Sequence, residues 1–152
     1  MSDLEARAIA LKKNMDMISS YFQSLLSASS GEDLSLQELK VVDFIGQRVS
    51  PIMREVAEYM KVAVSTMTGI IDKLEDKNLV KRERDEDDRR IVRVLLTNKG
   101  HKLYRAYVEN YLKMSRRMLQ MLEDEEQVIY LELTKKIAAG ASQFIAFGAE
   151  EK

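Results

Sequence analysis

Apolar residues at Leu4, Ala8, Leu11, Met15, Ile18, Phe22 and Leu25 recur alternately four and three positions apart. This spacing predicts one long helix with a narrow seam. So narrow a stripe near a chain end suits a partner helix better than a private core. Small polar residues from Ser27 to Gly31 end it. Ser35-Leu36-Gln37-Glu38 then reads as a capping box flanked by the staple pair Leu34 and Leu39. The helix it starts buries Leu39, Val42, Phe44, Ile45 and Val49 and stops near Gly46 to Arg48. Pro51 suits a short extended edge segment, Pro51-Ile52, or a helix start. A short helix from Met53 to Met60 turns its Val56, Ala57 and Met60 inward. After the turn Lys61-Val62-Ala63, a second helix runs from Val64 to about Lys77. Its apolar set, Met67, Ile70, Ile71 and Leu74, leaves Ser65, Thr66, Thr68 and Gly69 at or near the outward face. Two short helices joined this tightly make a helix-turn-helix, and Asn78 closes the second in a left-handed conformation.

The period then changes to two. Leu79 to Arg84 and Ile91 to Leu96 are β-propensive arms around a polar tip, Asp85-Glu86-Asp87-Asp88-Arg89-Arg90, which reads as a charged hairpin. Thr97 caps a helix that begins at Asn98 and runs to about Leu122. It carries one stripe through Leu103, Tyr107, Tyr111, Met114, Met118 and Met121, and a second through Tyr104, Val108, Leu112 and Leu119. At roughly 37 Å it is too long for one small core to cover both stripes. An acidic cluster, Glu123 to Glu126, opens a last helix whose buried set is Val128, Leu131, Ile137, Ala138, Ala141, Phe144 and Ile145. The fold expected is mainly α with a small β-wing, a winged helix-turn-helix core flanked by N- and C-terminal dimerisation helices. Its parts are residues 1–30, 31–97 and 98–152 of one intertwined domain. The surplus apolar surface is best covered by a second copy, giving a C2 homodimer.

Charge changes the picture more than size does. The chain has 152 residues and a net charge of −1, which argues against a polyanionic partner. Yet residues 73–105 hold 11 basic and 7 acidic side chains, a local +4, between segments of −3 and −2. Attraction to phosphate follows the local field. The chain has no cysteine and a single histidine, His101, which removes thiolate catalysis, disulfides and a His-rich metal site. There is no Gly-rich phosphate loop or nucleophile elbow, so neither enzyme activity nor a cofactor is expected. Neither a membrane span nor a signal peptide is read from the pattern, and a cytoplasmic location is expected.

These residues together suit duplex DNA. Ser65, Thr66 and Thr68 stand on the first turns of the second helix, where short hydroxyls reach phosphates or base edges. Lys73, one turn on, is a candidate phosphate contact. Arg89 and Arg90 at the hairpin tip are candidates for the minor groove, and Arg84 for the backbone. Asp88 stands close enough to hold a wing arginine by a bidentate pair. The competing reading is a winged-helix protein-interaction module with no DNA partner, which salt dependence and competition by duplex DNA would separate from the first.

The stretch Met53 to Ala57, Val64 to Glu75, Asn78 to Arg82, the tip Asp85 to Arg90 and Leu96-Thr97-Asn98-Lys99-Gly100 resembles the MarR-type winged-helix transcription factors. Asp88-Arg89-Arg90 and the following Leu-Thr-x-x-Gly carry the resemblance most strongly. Lys61, Ala63 and Asn78 depart from it, standing where the family usually has glycine, serine and glycine. The resemblance implies an obligate homodimer, usually repressing transcription from a pseudo-palindromic operator and often released by a small anionic or aromatic effector. It favours Arg90 as the partner of Asp88. It also puts an effector pocket between the dimerisation helices and the winged unit, with Phe44, Arg48 and Tyr111 as candidates.

Overall fold

A computed structural model describes residues 2–29, 33–48 and 50–147, without the side chains of 25–29 and 142–147. Among them the order is α1 (Asp3–Ser29), α2 (Leu36–Gln47), α3 (Met53–Met60), α4 (Val64–Asp76), β1 (Val80–Arg84), β2 (Val92–Leu96), α5 (Asn98–Leu119) and α6 (Asp124–Phe147). The chain forms two compact units, Met1–Leu112 and Lys113–Lys152.

In the first unit, the inward faces of α2, α3 and α4 meet the sheet over one core. Val41, Val42, Phe44 and Ile45 come from α2, Val56 and Ala57 from α3, and Met67, Ile71 and Leu74 from α4. Leu79, Val80, Val94, Leu96 and Leu103 close it from the hairpin side. The helix termini are specified by the side chains that the capping pattern names. The Ser35 hydroxyl accepts from the Glu38 amide at 3.2 Å, and the Glu38 carboxylate accepts from the Ser35 amide at 2.7 Å. Burial pushes the Glu38 carboxyl up, but Ser35 and the Lys77 ammonium outweigh it and hold the group below its ordinary range. Lys77 reaches Glu38 at 3.2 Å, tying the C-terminal end of α4 to the start of α2.

The hairpin is antiparallel, with Val80 opposite Leu96 and Arg84 opposite Val92. Ile52 bridges Arg93 from outside, and the Val94 amide donates to the Pro51 carbonyl at 2.9 Å. Pro51-Ile52 is thus an edge segment of the sheet. The Leu-Thr-x-x-Gly stretch welds α5 to the turn after α4. Thr97 donates its hydroxyl to the Asn78 carbonyl at 2.7 Å and accepts from the Gly100 amide at 3.0 Å. A Cβ on Gly100 would stand on the Leu79 carbonyl oxygen, well inside van der Waals distance. Only glycine lets the two backbones approach this closely.

The terminal helices differ from the expectation in one respect. Val128, Leu131 and Ile137 of α6, read as a buried set, are 58 %, 54 % and 67 % exposed in the single chain. Ala138 and Ala141 are exposed as well. The 40-residue unit that holds α6 with the last turns of α5 has too little surface to bury that face. The α1 seam is exposed at Leu4, Leu11, Met15 and Ile18. Of the other predicted core positions, Val49 and the side chains of Leu25, Phe144 and Ile145 lie outside the described residues. α5 ends at Leu119, three residues short of the expected end.

Candidate DNA interface

α4, the second helix of the helix-turn-helix, is the candidate recognition element. Met67, Ile71 and Leu74 are fully buried and fix its inner side, while Ser65, Thr66, Thr68, Gly69 and Lys73 are all exposed. Ala63 at the N-cap supplies no side-chain acceptor for the first-turn amides. The approach to α4 is set by Lys61, which adopts the left-handed conformation (φ 54°) and donates its amide back to α3. Its partner in that conformation, Asn78 (φ 56°), turns the chain out of α4 into the hairpin. Gly69 sits on the outward face, and a Cβ there would meet nothing within 4 Å. Neither backbone conformation nor internal packing asks for glycine at this position. In a helix interior it costs about 0.8–1 kcal/mol relative to alanine.

The wing is braced by contacts that its sequence pattern does not reveal. Asp85 accepts from the amides of Asp87 (3.0 Å) and Asp88 (3.2 Å) and pairs with the Arg93 guanidinium at 2.6 Å. Arg93 also donates to the Ser50 carbonyl at 3.0 Å, anchoring the tip to the segment before Pro51. The Arg93 pair and those two amides hold the Asp85 carboxyl below the ordinary carboxylate range. The bidentate pair expected between Asp88 and Arg90 is not formed. Asp88 accepts from the backbone amide of Arg90 at 3.0 Å, so it shapes the tip turn and leaves the guanidinium out of it. Arg84, Arg89 and Arg90 are exposed, and none makes an ion pair among the described residues.

Arg82 was not singled out as a functional residue, yet it joins wing to helix. Its guanidinium pairs with Asp72 at 2.7 Å and with Glu75, and donates to the Thr68 carbonyl at 3.1 Å. Its amide donates to Glu75 at 2.9 Å. The signal was present: Val80, Arg82 and Arg84 share one face of β1, and Asp72 and Glu75 stand three apart on α4.

A second feature is a cleft of 540 Å³ walled by Lys40, Asp43, Tyr59, Lys61, Tyr107 and Tyr111 among others. Burial, with Asp43 and the neighbouring tyrosines, raises the Tyr107 phenol above its ordinary range and keeps it neutral. Of the three effector candidates, Tyr111 lines this cleft. Phe44 is buried, stacked on Tyr59 at 4.2 Å, and Arg48 lies over the Phe44 ring at 5.0 Å. Neither is in the wall.

The family model that matches is that of the MarR family, over residues 34–92. The HTH-type transcriptional regulator YfiV of Bacillus subtilis, named as uncharacterized, is 32 % identical over 118 residues, 72 % of this chain and 74 % of its own length. The chain belongs to the MarR family. The HTH-type transcriptional repressor MdtR of the same organism is 27 % identical over 141 residues, covering 93 % of this chain and 87 % of that protein. Among solved structures, FabT of Streptococcus pneumoniae in complex with DNA superposes with a TM-score of 0.81. It is 24 % identical and covers 95 % of this chain and 98 % of its own. The fold is therefore the MarR winged helix, and the chain is a DNA-binding transcriptional regulator of that family. Among the described residues, no helix is long and apolar enough to cross a membrane.

Proposed function

We propose that this regulator acts as a cytoplasmic homodimer that represses transcription from a pseudo-palindromic operator and is released by a small anionic or aromatic ligand. One observation carries the reading: three exposed arginines, Arg84, Arg89 and Arg90, stand on a hairpin buttressed by Asp85 and Arg93, beside an α4 face of short side chains. Each recognition helix enters a major groove through Ser65, Thr66 and Thr68, with Lys73 on a phosphate. Each wing reaches the flanking minor groove through Arg89 and Arg90. Asp88 and Asp85 set the direction in which those arginines leave the tip.

Two copies are needed because the apolar faces of α1 and α6 are bare in one. Burying such faces reciprocally is what a C2 interface does. FabT, which shares this fold, has been solved with DNA, and MdtR is named a repressor. The cleft beside Tyr107 suits the ligand: Lys40 and Lys61 offer positive charge, and Tyr59 and Tyr111 offer ring faces. Selection from random duplex DNA tests the reading. It is expected to enrich an inverted repeat with half-sites about one helical turn, roughly 34–36 Å, apart. Enrichment of no sequence, with binding independent of salt, would overturn it.

A further inference from the structure

The first turns of α4 are equipped for one kind of base edge. From Val64 to Asp76 the helix holds no Arg, Asn, Gln or His. Arg, Asn and Gln read guanine or adenine through paired hydrogen bonds, and Lys, which also pairs with guanine, is present only as Lys73, more than two turns beyond Val64. The guanidinium of Arg82 lies against α4 but is engaged by Asp72, Glu75 and the Thr68 carbonyl. That engagement also occupies Asp72, the carboxylate placed to accept from a cytosine amino group. Beside the short hydroxyls of Ser65 and Thr66, the first turns present apolar groups. Val64 is 49 % exposed and offers two methyl groups. Thr68 donates its hydroxyl to the Val64 carbonyl at 2.9 Å, so its proton is committed and its methyl group is the feature left to present. Both residues line a groove of 610 Å³ that Ile52, Ile91, Val92, Arg54 and Arg90 also line. Apolar side chains and cations side by side match a pyrimidine methyl group flanked by phosphate.

Resting on the DNA-binding reading above, we infer that Val64 and Thr68 recognise the C5-methyl group of thymine in the major groove. The half-site is then specified by thymine over cytosine through methyl contact. Replacing thymine by uracil removes that methyl and leaves the minor-groove edge unchanged, so the wing does not register the swap. The probe is the duplex enriched from the random pool, resynthesised with deoxyuridine at one thymine pair at a time and titrated with the full-length protein. Loss of one contacted methyl is expected to weaken binding about fourfold, and substitution in both half-sites about fifteenfold.

Val64→Ala and Thr68→Ser, which shorten exposed side chains and keep the Thr68 hydroxyl position, are expected to flatten the thymine-to-uracil ratio toward one. Equal affinity for thymine and uracil at every position would overturn the inference while leaving DNA binding intact. So would a ratio that survives in both variants. If no duplex is enriched at all, the DNA-binding reading fails first, and the inference with it.

Discussion

Replacing Gly69 by alanine should stabilise the protein and impair it at the same time. Gly69 lies six residues into α4, on its outward side between Ser65 and Asp72. A Cβ there has no neighbour within 4 Å, so the folded chain accepts it without rearrangement. The helix gains the difference between the two residues, about 0.8 kcal/mol per chain. The same methyl points at whatever α4 approaches. A helix seated closely on base edges through hydroxyls and short side chains has little slack for an added carbon. Over-packing a close interface costs about 1–3 kcal/mol, so operator affinity should fall of the order of tenfold. Urea denaturation gives the first quantity, and fluorescence anisotropy with the selected duplex gives the second. A variant that is more stable and binds as tightly as the parent refutes the close approach of α4 to DNA. A variant that is less stable refutes the claim that the site is open.

Gly100→Ala sets a methyl on the Leu79 carbonyl and should destabilise the fold by about 3 kcal/mol or more, read by chemical denaturation. Lys61→Gly relieves a left-handed non-glycine residue and should add about 1 kcal/mol of stability by the same measurement. The Glu38 carboxyl titrates lower in the folded chain than in the unfolded one. Its contribution is therefore present above the unfolded pKa and lost as pH falls through the folded value. Glu38→Gln should flatten the acid limb of the stability profile below the ordinary glutamate pKa; an unchanged limb would show that Glu38 contributes nothing to it.

The helices of the winged core were legible because they rest on local chemistry. Ser35 and Glu38 cap α2 through contacts three residues apart, and the apolar periods of α3 and α4 coincide with the faces that are buried. Asn78 takes the left-handed turn because its side chain tolerates it. What the pattern did not give is partner choice across space. The wing holds several carboxylates and several arginines, and nothing local distinguishes Asp85 with Arg93 from Asp88 with Arg90. The bridge from Ile52 holds the Arg93 backbone at the sheet, where its guanidinium meets Asp85. The Arg82 clamp is a tertiary pairing between residues 7 and 10 positions apart on different elements, for the same reason. The apolar face of α6 is exposed in the single chain because periodicity reports which residues seek burial, not what supplies the cover.

The central claim is that two copies together place their arginine-tipped wings and α4 helices on one duplex. Sedimentation of the protein with the selected duplex, read alongside its affinity, tests this most directly. The account predicts two chains per duplex. It also predicts that Arg90→Ala binds at least about tenfold more weakly while sedimenting as the same free dimer. One chain per duplex, or an Arg90→Ala protein that binds as tightly as the parent, would contradict it.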